Sequence, residues 1–194
     1  MVEGCRELGM EALSLYAFST ENWNRTELEV NTLFRLLSKY IHIEIQEIHE
    51  QGIRVTMMGR MKGLPARAAK DLQYCMDLTR ENTDMVLNVA VNYGSRTEIA
   101  DAAQSIAREV KAGALDPEAV DEACVTDHLY TAGLPDPDLL IRTSGELRLS
   151  NFMLWQLSYA ELVVTDTLWP DFRKEHLYEA IKQYQSRNRR FGGR

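Results

Sequence analysis

Short β-rich runs alternate along this chain with stretches of helical period, and no other feature narrows its fold so sharply. The runs are Ala12 to Phe18, Ile53 to Gly59, Met85 to Tyr93, Leu139 to Thr143 and Glu161 to Thr167. Between them Val30, Phe34, Leu37, Ile41, Ile45 and Ile48 recur on one helical face, as do Ile99, Ala103, Ile106 and Val110. Thr26-x-x-Glu29 and Ser95-x-x-Glu98 read as capping boxes, in which two side chains satisfy each other's backbone N–H groups. Strand, helix, strand in series predicts an α/β single domain: a mostly parallel β-sheet flanked by helices on both faces. At 194 residues one domain is enough, burying roughly 70% of the surface the unfolded chain exposes. No repeat or Pro/Gly-rich linker divides it, and residues 113 to 117 read as a surface loop.

Sheets of this kind bind ligands beyond the carboxyl ends of their strands. The segments after the strands are polar here: Ser19 to Arg25, Gly59-Arg60, Asn92 to Arg96, and Thr143 to Arg148, with Asp166 and Trp169 near the end of the last. Arg142, Arg148, Ser144 and Ser150 place guanidinium forks and hydroxyls where they can converge on phosphate oxygens. The structural alternative pairs Arg142 with Glu146 on a turn and leaves Arg148 in water. Arg142 nevertheless continues the apolar run Leu139-Leu140-Ile141, and a charge ending a buried strand calls for a partner. Ser19, Asn22, Trp23 and Arg25 put a hydroxyl, an amide, an aromatic face and a cation just before a capped helix, where anions are favoured; read alone, they fit an N-capping loop with a packing Trp better, and it is their place on the same rim as the Arg142 cluster that favours the functional reading. Glu161 opens the last strand, and a carboxylate there suits Mg²⁺ beside a diphosphate, although a lone Glu does not fill a magnesium shell. The final run, residues 187 to 194, holds four arginines and no acid, a composition that also suits a helix C-terminus.

The exclusions are as useful. A balance of 22 basic against 29 acidic side chains gives net charge -7, which opposes nucleic acid and anionic membrane surfaces as general partners. An anionic ligand must be held locally, by clustered Arg. Three widely spaced cysteines suggest neither disulfides nor a zinc site and read as a reducing, cytoplasmic setting. No apolar run approaches the ~18 residues of a membrane span. Phosphate-loop, dinucleotide and hydrolase signatures are missing, as is any Asp-Asp pair, so the Asp-rich helical isoprenoid synthases are disfavoured. His42 and His49 share a helix without a third ligand and are read as facing solvent or a partner.

With these residues assembled, the chain resembles the cis-prenyltransferase family, typified by bacterial undecaprenyl diphosphate synthase. The likeness runs through residues 13–23, 87–94, 138–146 and 148–156 to Arg189-Arg190-Phe191-Gly192-Gly193, with the Arg142-Thr143-Ser144-Gly145-Glu146 block the most specific. It implies an enzyme that condenses isopentenyl diphosphate onto an allylic diphosphate such as farnesyl diphosphate, with Mg²⁺, making a cis-polyprenyl diphosphate of the cell-wall lipid-carrier type. By the same resemblance Arg142, Arg148 and Ser150 hold the isopentenyl diphosphate and Glu161 helps bind Mg²⁺. Ser19 and Asn22 are then catalytic, Trp23 and Arg25 border the allylic substrate, and Arg190 and Gly192 belong to a tail that reaches the other subunit of a homodimer. A peripheral membrane contact would come through the lipid product, and the stripe of Phe34, Leu37 and Ile41 would wall its tunnel or serve as plain core. Thr26, Ser95 and Arg60 depart from the family pattern. Family members also begin with a strand and a phosphate-binding loop, His-x-x-x-Met-Asp-Gly-Asn-Gly-Arg-Trp, whose Asp binds magnesium; here helical pattern starts at Val2 without a cap. The expectation is a domain over 1–194 lacking that strand and loop, hence feeble or inactive as it stands. The competing reading is a non-catalytic accessory subunit, which the presence of both Arg142 and Arg148 disfavours.

Overall fold

In the computed structural model, residues 1–187 are described; Arg190 and Gly192 lie outside them. The fold is built on β3 (Met85–Tyr93), which takes β1 (Ala12–Ser19) on one side and β2 (Ile53–Met58) on the other, both parallel. Its near-continuous apolar sequence fits that central place: Met85, Leu87, Ala90, Val91 and Tyr93 are all buried. The polar exception, Asn88, is 1% exposed and satisfied by both neighbours, accepting from Thr56 Oγ1 at 3.1 Å and donating to Ser14 Oγ at 3.4 Å. Buried polar groups persist only with such partners.

The helices match the predicted stripes with one exception. α2 (Glu27–Glu50) begins at the expected box: Thr26 accepts from Glu29 N, and the Glu29 carboxylate takes Thr26 N and Oγ1 at 3.1 and 2.6 Å. It buries Val30 and Phe34 with Ala68 and Leu72 of α3 (Ala66–Leu78) against Phe18 and Val91 of the sheet, with Leu37 and Ile41 packed at the margin. At this level the stripe packs as core. α4 (Ser95–Lys111) corrects the sequence reading. Gly94 is its cap residue, and Glu98 turns inward, fully buried, to accept from Tyr93 Oη (2.6 Å), Tyr130 N (2.9 Å) and Gln156 Nε2 (3.1 Å). Glu98 is thus engaged by distant donors, not by a local cap. The buried face becomes Glu98, Ala102 and Ile106, leaving Ile99, Ala103 and Val110 along an open groove with Trp155.

The expected single sheet comes in two pieces. β4 (Leu139–Arg142) and β5 (Glu161–Val164) pair with each other, in parallel, and among the described residues neither joins β1. Both stop short of the runs read from sequence, at Arg142 before Thr143 and at Val164 before Thr167, where the chain leaves the extended pairing. Between the pieces lies a cavity of about 790 Å³ lined by the consecutive residues Ala12 to Ala17 and Leu139 to Thr143. Successive strand residues face opposite sides of a sheet, so consecutive lining means that the free edges of β1 and β4 border this space. α1 (Val2–Glu7) and α6 (Lys174–Gln185) close its far side through Cys5 and Leu177. A short α5 (Glu122–Asp127) completes the element order. Among the described residues no helix is long and apolar enough to cross a membrane.

Candidate active site

Three segments meet where β1, β3 and β4 end. The first is a 3-10 turn, Thr20–Asn24, in which Ser19 N donates to Asn22 Oδ1 at 2.9 Å and so fixes both predicted residues to one another. Trp23 comes next, with its ring against Phe18 and Phe34, centroids 5.2 and 5.5 Å away, and its indole N–H donates to Asn92 Oδ1 at 2.7 Å. Arg25 leaves the turn exposed.

The second segment is the end of β3. Asn92 is 8% exposed and left-handed, φ 51°, a conformation Asn tolerates better than most residues. Besides holding Trp23, it donates from Nδ2 to the carbonyls of Arg60 (2.9 Å) and Lys62 (3.3 Å), tying the chain after β2 to the rim. That chain can lie so close because residue 59 is Gly: a Cβ there would stand 2.1 Å from Val91 O. Arg60 itself, unplaced by the sequence, forms a fork on Asp101 at 2.5 and 2.8 Å. Asp101 also accepts from Tyr130 Oη.

The third segment is the loop after β4. Ser144 and Gly145 take consecutive left-handed conformations, and their N–H groups donate to Thr167 O and Thr165 O at 3.0 and 2.9 Å. Ser150, Asn151 and Met153 also have positive φ, a concentration of strain that such loops carry where function demands it. Glu146 pairs not with Arg142, as the structural alternative had it, but with Arg148, at 2.5 Å, and the Arg142 Nε is buried without a hydrogen-bond partner. A buried unpaired N–H costs about 1–3 kcal/mol, which an anionic ligand at this rim would recover. The Arg148 pair is exposed, worth ~1 kcal/mol or less, and readily exchanged for phosphate.

Tyr16 joins the first and third segments. Its ring stacks on Phe152 at 4.6 Å, and its hydroxyl donates to Tyr93 O (3.2 Å) and Ser150 O (3.5 Å). Burial, with Glu21 adding to it, pushes this phenol up to about 12, so it stays a proton donor at neutral pH.

Glu161 is placed differently from the expectation. In the parallel β4–β5 register it stands beside Leu139, whereas Arg142 stands beside Val164, so the two sit at opposite ends of the pair. Its carboxylate accepts from Arg187 at 2.7 Å. Among the described residues no three His, Cys, Asp or Glu side chains converge on a point that could hold a metal ion. Magnesium therefore has no complete protein shell among these residues.

The chain matches, over residues 1–192, the family described as "Putative undecaprenyl diphosphate synthase". It is 50% identical over 193 residues to the isoprenyl transferase of Heliobacterium mobile, covering 100% of this chain and 74% of that one. Identity with the isoprenyl transferase of Bacillus subtilis (strain 168) is 48% over 187 residues, 96% of this chain and 72% of the other. The chain belongs to the undecaprenyl diphosphate synthase family. It is a prenyltransferase. Solved structures agree with the family: lavandulyl diphosphate synthase from Lavandula x intermedia, in complex with dimethylallyl diphosphate, superposes with a TM-score of 0.96 at 37% identity, covering 99% of this chain and 83% of that one. A probable undecaprenyl diphosphate synthase from Campylobacter jejuni gives 0.87 at 33%, with coverage of 99% and 88%. Substrates of this family are isoprenoid diphosphates, and the Arg side chains of this rim suit their anionic ends. Asn92, Asn151 and Tyr16 were not singled out from sequence. Each acts through a partner in another segment, and only the place of Asn92 at a strand end hinted at a role.

Proposed function

We propose that this prenyltransferase condenses isopentenyl diphosphate onto an allylic diphosphate such as farnesyl diphosphate, forming a cis double bond. The observation that carries the reading is the buried, unpartnered Nε of Arg142 at the end of β4, next to the loop that bears Arg148 and Ser150. A diphosphate there satisfies that N–H, exchanges with Glu146 for Arg148, and takes the Ser150 hydroxyl. The allylic partner then lies toward Ser19, Asn22, Trp23 and Arg25. The indole, held edge-on by Asn92 and 38% exposed, offers an aromatic face to cationic character developing at the allylic carbon. As the allylic C–O bond breaks, the leaving diphosphate takes the electron pair; the isopentenyl π electrons form the new C–C bond to the allylic carbon, and a proton passes from C2 of the isopentenyl unit to a diphosphate oxygen, its C–H electrons becoming the new double bond. Exclusion of water protects that cation.

The opening between β1 and β4 supports a further parallel strand of the family type, with a phosphate-binding loop at its carboxyl end beside Arg142. Such a strand would join both pieces into one sheet. Mg²⁺ is assigned no step through this chain's described residues; its shell would draw on substrate oxygens and carboxylates beyond them. A homodimer, and peripheral contact with the cytoplasmic side of a membrane through the lipid product, belong to the same proposal and rest on the family resemblance.

Incubation with isopentenyl and farnesyl diphosphates, with and without Mg²⁺, tests the proposal. The expected products are longer diphosphates with cis double bonds by NMR, abolished in Arg142→Ala. A protein that neither binds nor consumes either diphosphate contradicts it.

A further inference from the structure

Asn151 makes contacts that neither half of the proposed site explains by itself. Its backbone carbonyl accepts from Ser95 N at 2.8 Å and its Oδ1 from Arg96 N at 2.9 Å, so it caps α4 from outside the helix, where Gly94 supplies no side chain. Its Nδ2 donates to Glu21 Oε1 at 2.9 Å across 130 residues of sequence. The contact is built closely. A Cβ on Gly94 would stand 2.7 Å from both Asn151 Nδ2 and Thr20 Oγ1, so only Gly lets the two loops close over it. Asn151 holds φ 62°, next to Ser150 at 50°. The hydrogen bond from Asn151 also draws the Glu21 carboxyl below its ordinary range, so the acceptor is charged at neutral pH.

We propose that the Asn151–Glu21 hydrogen bond is a positioning bridge that couples the loop bearing Arg148 and Ser150 to the turn bearing Ser19, Asn22 and Trp23. The bridge presupposes that the rim holds two diphosphates. Each diphosphate must order the loop that holds it, and ordering costs conformational freedom. With the loops tied at Asn151 and Glu21, ordering one lowers the cost of ordering the other. The bridge touches neither ligand; it acts on how binding of one changes binding of the other, a coupling that is reciprocal by thermodynamic necessity.

Calorimetric titration of the chain in Mg²⁺ buffer reads this directly. Isopentenyl diphosphate is titrated alone and then in the presence of the unreactive thiolo analogue of farnesyl diphosphate. The ratio of the two affinities is the coupling factor. Asn151→Asp keeps the acceptor for Arg96 N but sets a carboxylate against Glu21; Glu21→Ala removes the bridge and leaves the α4 cap intact. Both are expected to lower the coupling factor about fivefold, the worth of one hydrogen bond near 1 kcal/mol. Affinity for each ligand alone should stay within about twofold. The double variant Glu21→Gln with Asn151→Asp reverses donor and acceptor and restores the factor, a rescue that a general loss of structure would not give. A coupling factor equal in the parent and in Glu21→Ala, or no recovery in the double variant, overturns the bridge while leaving the two-diphosphate site in place. Failure of the parent chain to bind either diphosphate overturns that site itself.

Discussion

Glu98 and Arg60 show how far single residues here depend on partners remote in sequence. Glu98 is fully buried and takes donors from Tyr93, Tyr130 and Gln156. Glu98→Ala leaves Tyr93 Oη and Tyr130 N without their acceptor, whereas Gln156 Nε2 keeps Thr131 Oγ1 at 2.9 Å, and we expect a loss of about 2–5 kcal/mol in urea unfolding at neutral pH. Glu98→Gln keeps one oxygen for Tyr130 N and should cost less than half as much. Arg60→Ala is a milder change because its fork on Asp101 is partly exposed; ~0.5 kcal/mol is the expected loss at pH 7. Its pH dependence comes from Asp101, whose carboxyl is held below its ordinary 3.8 first by the hydrogen bond from Arg60. The folded state binds that proton less tightly than the unfolded chain does. The contribution is therefore present above about pH 3.8 and lost as pH falls through the depressed value. Unfolding curves of parent and variant should converge only in that acid range; a difference that closes between pH 7 and 5 would contradict the assignment.

The elements themselves were legible wherever period decides structure. All five strands and both long amphipathic helices stand where alternation put them, and the Thr26–Glu29 cap formed as read. Ser95–Glu98 has the same spacing and made no cap, because Glu98 met stronger partners from residues 130 and 156. Arg142 and Glu161 were read to one rim, yet in the parallel register they occupy opposite ends of the β4–β5 pair, a fact of strand direction that spacing does not encode. The place of the break between β1 and β4 was not legible from spacing either; the resemblance implied a missing strand without saying between which strands it would lie. The break predicts a distinct exchange pattern: amides of β3 are paired on both sides and should be the slowest to exchange, whereas the edge-facing amides of β1 and β4 exchange orders of magnitude faster. Uniform protection across β1 would mean that its second edge is covered.

At the scale of the molecule, a chain of net charge -7 presents an Arg-bearing rim assembled from three segments. Sequence supplied the Arg142–Arg148 cluster and the Ser19 to Arg25 border; folding supplied their connection, through Tyr16, Asn92 and Asn151. An acidic surface around a small cationic site makes affinity depend on local contacts, so loss of one of them should be plainly visible. The central claim is that Arg142 holds a diphosphate with its otherwise unpartnered N–H. Calorimetric titration of isopentenyl diphosphate into the parent chain and into Arg142→Ala, at matched ionic strength, tests it most directly. The account predicts binding by the parent and at least a tenfold loss in the variant, about 1.4 kcal/mol or more; equal affinities in the two would contradict it.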